Sequence, residues 1–98
     1  MKRITYNYNG QTVYLEVTRY ANSGMLAVIM FNVNGEPYGV ITVNLCSLLQ
    51  SYDKAFIDEN NIPGIGEWLV SNNIAEPLNV SQNSGYCSYP LYKFNYHI

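Results

Sequence analysis

Charged side chains are scarce in this sequence. Asp, Glu, Lys and Arg together make up 12% of the 98 residues, whereas about 25% is typical of globular domains. The five basic residues are spread along the chain and the net charge is −2. No stretch therefore forms the basic patch that tight binding to duplex DNA requires, and we do not expect duplex DNA as a partner.

Histidine and cysteine, which serve most nucleophilic and metal sites, are also scarce. The single histidine, His97, lies next to the C-terminus, and the two cysteines are Cys46 and Cys87. A Cys–His or Ser–His pair would need that terminus to be held against the rest of the domain. Two cysteines without a nearby histidine cannot complete a zinc site. We expect reduced thiols, with a Cys46–Cys87 disulfide as the less favoured alternative, no cofactor, no metal and no enzyme activity.

Long hydrophobic runs are absent. No stretch reaches the roughly 18 apolar residues that a membrane-spanning helix needs. The N-terminal residues MKRITYNYNG begin with basic side chains but then alternate between polar and apolar, so they lack the apolar core of a secretion signal. We expect a cytoplasmic protein without membrane contact, folded as a single domain over residues 1–98.

The stretch from Met25 to Leu45 organises the predicted fold. Apolar residues occupy both faces of its first strand, a pattern typical of a strand inside a sheet. Asn34-Gly35 predicts a two-residue type I′ turn that closes a hairpin. A second hairpin is predicted at Asn9-Gly10, because the residues on both sides of it alternate between polar and apolar. Residues 1–45 thus predict a four-stranded meander.

Residues 63–73 predict one short helix, which begins at Pro63 with Asn60 or Asn61 as its N-cap. Alternation returns over residues 89–96, which predicts another strand. We therefore predict an α+β fold: a mostly antiparallel, twisted sheet made of the meander and C-terminal strands, with one short packed helix. The expected core residues are Leu15, Val17, Leu26, Val28, Ile29, Phe31, Ile41, Val43, Phe56, Trp68, Leu69 and Leu91.

Tyrosine is in excess, with ten copies. A domain of this size cannot bury all of them, and exposed Tyr, Asn and Ser with little charge are typical of protein-binding surfaces. We expect the binding residues to be Tyr38, Tyr86, Tyr89, Tyr92, Asn60 and Asn61. Two alternatives stay open: the rings stack on a small nucleotide or single-stranded RNA, or they fill a thin core in a structural or accessory domain.

Residues 85–92 combine three tyrosines with Cys87 and Pro90. Because proline cannot donate a backbone hydrogen bond, Tyr89-Pro90 is predicted at the edge of a sheet or at the first residues of a strand. An edge that carries aromatic side chains can pair with a strand of another molecule. A homodimer through an edge strand is therefore a further expectation.

Three blocks of sequence carry a resemblance to a known family. They are Gly35-Glu36-Pro37-Tyr38 running into Thr42-Val43-Asn44-Leu45, then Ala55-Phe56-Ile57-Asp58-Glu59-Asn60-Asn61, then Ser84-Gly85-Tyr86-Cys87-Ser88-Tyr89-Pro90-Leu91-Tyr92. Their order and spacing resemble domain of unknown function 4313, a family of small gut-bacterial proteins from conjugative elements and phages. The similarity covers almost the whole chain, although Glu59 departs from the small hydroxyl residue expected before the two asparagines.

The resemblance implies no catalytic residue and no cofactor. It implies a genomic setting in which small proteins often bind host machinery, for example a defence protein, and this step is an analogy between settings rather than an argument from chemistry.

Overall fold

A computed structural model describes residues 4–21, 23–45 and 47–95 of the chain. In chain order the elements are β1 (Tyr6–Tyr8), β2 (Gln11–Arg19), β3 (Leu26–Asn32), β4 (Pro37–Val40), β5 (Thr42–Val43), β6 (Lys54–Ile57), α1 (Ile65–Ser71), β7 (Ala75–Ser84) and β8 (Cys87–Phe94). The strands form two four-stranded sheets, ordered β1-β2-β3-β4 in the first and β5-β6-β8-β7 in the second. All pairings are antiparallel, so the predicted α+β class with one short helix is confirmed.

The first turn of the first sheet follows the sequence prediction. Asn9 and Gly10 both have positive φ, 50° and 83°, as the two central residues of a type I′ turn require. The Asn7 side chain accepts a hydrogen bond from the Gly10 N–H at 3.2 Å. Beyond this turn Val13 and Leu15 point into the core, because alternate residues of a strand share a face.

The turn between β3 and β4 differs from the predicted two-residue turn. Gly35 has a φ of 85°, but Asn34 is not among the residues with positive φ. The Asn32 N–H donates to the Glu36 carbonyl at 3.0 Å, and the Asn32 side-chain oxygen accepts from the N–H groups of Asn34 (2.9 Å) and Glu36 (3.1 Å). The prediction was wrong because this side chain holds a longer loop, in which only the glycine is left-handed.

The predicted interior ribbon is confirmed for β3 and wrong for β4. Strand β3 lies between β2 and β4, and it buries Leu26 and Val28 on one face and Ala27 on the other. Strand β4 is an edge strand whose Tyr38 is 45% exposed.

The chain then leaves the first sheet at Ile41. The Ile41 N–H donates to the Val28 carbonyl at 2.9 Å, and the Ile41 carbonyl accepts from the Asp58 N–H at 2.8 Å. Thr42 continues this link, because its hydroxyl oxygen accepts from the Val28 N–H at 3.2 Å and hydrogen-bonds the Tyr20 hydroxyl at 2.9 Å. The second half of the predicted ribbon therefore joins the two sheets.

The core lies between the sheets and is closed by α1. Of the predicted core residues, the buried ones are Leu15, Leu26, Val28, Ile41, Phe56, Leu69 and Leu91, while Val17, Ile29, Phe31, Val43 and Trp68 are only partly buried. The prediction omitted several residues that the core does contain, including Val13, Met30, Ile57, Ile65, Ile74 and Phe94. Helix α1 is shorter than the predicted 63–73 at both ends.

Strands β7 and β8 extend beyond β6 as a two-stranded hairpin. Strand β8 pairs with β6 only from Leu91 to Lys93, whereas it continues along β7 as far as the Ser84–Cys87 pair. We call residues 81–90 the hairpin arm. Proline is tolerated at Pro90 because the pairing with β6 has ended there, so Tyr89-Pro90 lies on a locally open edge of a strand that is interior elsewhere.

Candidate functional site

Trp68 connects α1 to the first strand of the chain. Its ring makes edge-to-face contacts with Tyr6 (5.8 Å between centroids) and Tyr8 (5.3 Å). Its indole N–H donates to the Asn7 carbonyl at 2.7 Å. Both contact types favour one fixed orientation of the ring, so the helix and β1 hold Trp68 in place, although the residue stays partly exposed.

Tyr38 extends this group of rings to the edge strand β4. Its centroid lies 5.4 Å from that of Tyr8, with an interplanar angle of 81°. Tyr8 is 6% exposed, so it acts as the buried centre against which the more accessible Tyr38 and Trp68 are placed.

Glu59 holds the N-terminus of α1. One of its carboxylate oxygens accepts from the Gly64 N–H at 2.9 Å and the other from the Gly66 N–H at 2.6 Å. Gly64 occupies the N-cap position with a φ of 84° and makes no side-chain cap. A carboxylate is the favoured group at this end of a helix, because the N–H groups there lack partners and carry partial positive charge.

The predicted N-cap role of Asn60 or Asn61 was therefore wrong. Both asparagines are exposed. The Asp58 carboxylate accepts from the Asn61 backbone N–H at 3.1 Å and from its side-chain amide at 2.7 Å. These local bonds form an Asx-type turn, which directs the neighbouring Glu59 toward the helix.

Tyr92 reaches the same place from β8. A Cβ atom added to Gly66 would lie 2.7 Å from Glu59 Oε2 and closer still to the Tyr92 hydroxyl. Only a glycine therefore leaves room for the two side chains as they stand. The helix, the loop before it and the second sheet meet at Gly66.

The charge of Glu59 raises the pKa of one tyrosine in each sheet, Tyr8 and Tyr92. Burial, followed by Glu59 and Glu67, raises the pKa of Tyr92. Burial, Tyr38 and Glu59 raise the pKa of Tyr8, against a smaller lowering by a hydrogen bond with Asn9. A nearby negative charge disfavours the phenolate, and the Glu59 carboxylate and the Tyr92 hydroxyl do lie close together, beside Gly66. We call the rings of Tyr6, Tyr8, Tyr38, Trp68 and Tyr92, together with Glu59, the aromatic surface.

The six predicted binding residues fall in two regions. Tyr38 and Tyr92 belong to the aromatic surface, and Asn60 and Asn61 lie on the loop that carries Glu59. Tyr86 and Tyr89 belong to the hairpin arm, where Tyr86 is fully exposed at the turn. The sequence prediction omitted Trp68, which helical spacing placed in the core, and Glu59, whose departure from the family pattern was the available signal.

Tyr89 lies in β8, where it pairs in register with Gln82 of β7. A hydrogen bond with the Cys87 side chain, then burial and the charges of Cys87 and Asp58, raise the pKa of Tyr89.

Some of the residues considered for chemistry lie outside the part of the chain that the structure describes. Cys87 is a free thiol, while Cys46 and His97 lie outside the described residues. In residues 4–21, 23–45 and 47–95, no group of His, Cys, Asp and Glu is arranged to hold a metal ion. Among the same residues, no helix has the length and apolar character that crossing a membrane takes.

Comparison with known proteins gives one assignment. Neither the curated proteins nor the solved structures contain a significant match. The family model described as domain of unknown function DUF4313 matches residues 14–97. This range includes the three sequence blocks as well as Glu59, Trp68 and Tyr92. Since the match spans nearly the whole chain, the protein belongs to the DUF4313 family.

Proposed function

We propose that the protein is a non-catalytic binding domain whose partner is another protein, contacted through the aromatic surface. The supporting observation is that rings from β1, β4 and α1 contact one another edge to face, with Tyr38 left 45% exposed. Rigid aromatic rings give a large contact area at a low entropic cost, and they are enriched where proteins bind each other.

The charges favour a protein over a nucleotide or single-stranded RNA. The negative charges of Glu59 and Glu67 raise the pKa of Tyr92, and the same charges would repel a phosphate placed at this ring. Lys54 and Lys93 pair in register on the opposite face of the second sheet from Tyr92, because successive residues of a strand face opposite sides. Stacking of bases normally needs cations along the phosphate path, and these two lysines are not placed to supply them.

The partner in this proposal is a host protein, with a defence protein as the leading class, and the gene belongs to a phage or conjugative element. This part of the proposal rests on the genomic setting that the family resemblance implies. The proposal also keeps the cytoplasmic location that the sequence pattern leads us to expect.

Capture from a host lysate with two matched variants tests the proposal. Tyr38→Ala removes an exposed ring from the aromatic surface, and Tyr86→Ala removes a fully exposed ring from the hairpin arm. We expect a captured protein that is lost with Tyr38→Ala and retained with Tyr86→Ala. If the captured protein is instead lost with Tyr86→Ala and retained with Tyr38→Ala, the interface lies at the hairpin arm. Calorimetric heat with a nucleotide or oligoribonucleotide, without any captured protein, would contradict protein binding.

Self-association through an edge strand is a weaker proposal. The open side of β8 over residues 87–90 is one edge that a second copy could pair with, and Pro90 removes one donor from it. Strand β7 carries Pro77 and a register shift before Ser81, features that discourage pairing at an edge. Light scattering across a concentration series tests this idea, and a mass that stays at that of one chain would exclude the dimer.

A further inference from the structure

We propose that two copies of the chain pair through the outer edge of β7 in the hairpin arm, antiparallel and related by a two-fold axis at Gln82. The two hairpin arms then form one continuous sheet in the order β8-β7-β7-β8. This inference rests on the self-association proposed above, which it assigns to the edge of a different strand. It is independent of binding at the aromatic surface.

The backbone groups of Ser81 and Asn83 point away from β8. Ser81 pairs in register with Pro90, and a proline has no N–H to exchange in a hydrogen-bonded pair. Ser81 and Pro90 therefore form a non-hydrogen-bonded pair, in which the N–H and C=O groups of Ser81 point to the outer side of β7. Because backbone direction alternates along a strand, Asn83 presents its N–H and C=O to the same outer side.

This outer side is an accessible edge. Strand β7 is the last strand in the order of the second sheet, and Ser81, Asn83 and Ser84 are exposed. Pro77 and the register shift lie before Ser81, and from Ser81 to Ser84 the register with β8 is continuous. Edge strands are commonly protected by charges, prolines or bulges, whereas this stretch presents a regular row of donors and acceptors.

The composition of the hairpin arm favours a second copy as the occupant. A two-fold axis places side chains near their own counterparts, so a charged edge would bring like charges together. The sequence from residue 77 to residue 92 contains no charged side chain, although Glu76 and Lys93 flank it directly. Glutamine at the axis is self-complementary, because its amide group both donates and accepts hydrogen bonds.

The ends of the regular segment determine the register. Asn79 and Gly85 have left-handed backbones, with φ of 61° and 62°, and extended backbone runs between them. The midpoint of this segment is Gln82. With the axis at Gln82, Ser81 of each copy lies opposite Asn83 of the other, and both pairs exchange main-chain hydrogen bonds through their outward groups.

Light scattering of the full chain across a concentration series tests the pairing with two matched variants. Gln82→Lys places two ammonium groups together at the axis, while Ser88→Lys places the same charge on an exposed residue of β8. We expect the mass of the unmodified protein to rise from that of one chain toward that of two. Gln82→Lys should weaken dimerisation at least about tenfold, because like charges then face each other. Ser88→Lys should leave dimerisation unchanged.

Amide hydrogen exchange of the unmodified chain provides a second measurement, which does not depend on how a variant folds. The N–H groups of Ser81 and Asn83 should gain protection as the protein concentration rises, because the dimer pairs them. The N–H of Gln82 points toward β8 within one chain, so its protection should change less.

Three results would overturn the proposal. A mass that stays at that of one chain excludes the dimer, while protein binding at the aromatic surface stands. Loss of the dimer with Ser88→Lys but not with Gln82→Lys shows that the copies pair through β8, so self-association stands and its assignment to β7 fails. Protection that rises equally at Ser81, Gln82 and Asn83 shows association without the proposed strand pairing.

Discussion

The aromatic surface and the hairpin arm are both rich in tyrosine, but they are held in different ways. In the aromatic surface, rings of the first sheet and of α1 contact one another across long stretches of sequence, and Tyr92 of the second sheet meets Glu59 at Gly66. Tyr86 in the hairpin arm extends from a two-stranded hairpin and is fully exposed. A ring fixed by long-range contacts presents a preformed surface, whereas a ring at a hairpin turn must lose side-chain freedom when it binds.

Replacing Trp68 should produce the largest effect and test whether the aromatic surface is part of the fold. Trp68→Ala removes the contacts with Tyr6 and Tyr8 and the hydrogen bond to the Asn7 carbonyl. We expect the free energy of unfolding to fall by about 3 kcal/mol, measured by urea denaturation followed by circular dichroism. Trp68→Phe, which keeps a ring but loses the N–H donor, should cost about 1 kcal/mol. If Trp68→Ala lowers the free energy of unfolding by less than about 1 kcal/mol, the aromatic surface contributes little to the stability of the fold.

Replacing Glu59 should have the next largest effect. The two oxygens of the Glu59 carboxylate accept one N–H each, from Gly64 and Gly66. Glu59→Gln leaves a single acceptor oxygen for these two donors. We expect a loss of about 1–2 kcal/mol, a value typical of helix-capping interactions. Glu67→Gln is the matched control, because Glu67 is exposed in the first turn of α1 and caps neither group. Equal losses for the two variants would indicate that net charge, and not capping, is responsible.

Alkaline pH should destabilise the fold, because it ionises tyrosines of the aromatic surface. Burial raises the pKa of Tyr6, Tyr8 and Tyr92 above the ordinary value of 10.0. The raised pKa means that the fold favours the protonated phenol, so this contribution is complete below pH 10 and is lost as pH rises through the folded-state pKa. We expect the midpoint of urea unfolding to fall above pH 10, and Tyr92→Phe to lessen that fall. A midpoint that is independent of pH in this range would contradict the raised pKa values of these tyrosines.

Replacing Tyr86, which lies in the hairpin arm, should have the smallest effect on the free energy of unfolding. Its side chain is fully exposed, so Tyr86→Ala should change the free energy of unfolding by less than about 0.5 kcal/mol. Amide hydrogen exchange provides a second measurement, in which residues 81–90 should exchange faster than Leu91 and Tyr92, because the hairpin arm pairs on one side only. Equal protection along β8 would mean that the hairpin arm is as firmly held as the aromatic surface.

Sequence reasoning succeeded where local residues decide the structure. Asn9-Gly10 and its alternating flanks correctly predicted a hairpin, since a type I′ turn requires positive φ at both positions and the two residues tolerate it. The same signal at Asn34-Gly35 was misread, because the Asn32 side chain stabilises a different loop. The exposed position of Tyr38 and Tyr86 was likewise predicted, whereas the two regions that they occupy were not distinguished.

Residues whose role depends on distant parts of the chain were not predictable in this way. Trp68 falls at a helical spacing that favours the core, yet its position is decided by Tyr6, Tyr8 and Asn7, which are far from it in sequence. No capping role was predicted for Glu59, because nothing in the local pattern indicates that the helix beginning at Ile65 lacks a side-chain cap of its own.

The sequence by itself determined the α+β class, the presence of one short helix and the surplus of tyrosine, since periodicity, turn residues and composition are local properties. Only the tertiary structure decided that the strands divide into two sheets at Ile41, that Trp68 packs against Tyr6 and Tyr8, and that Tyr92 meets Glu59 at Gly66. The physical reason is that packing joins residues by distance in space, and which strands become neighbours depends on the burial and hydrogen bonding of the whole chain at once.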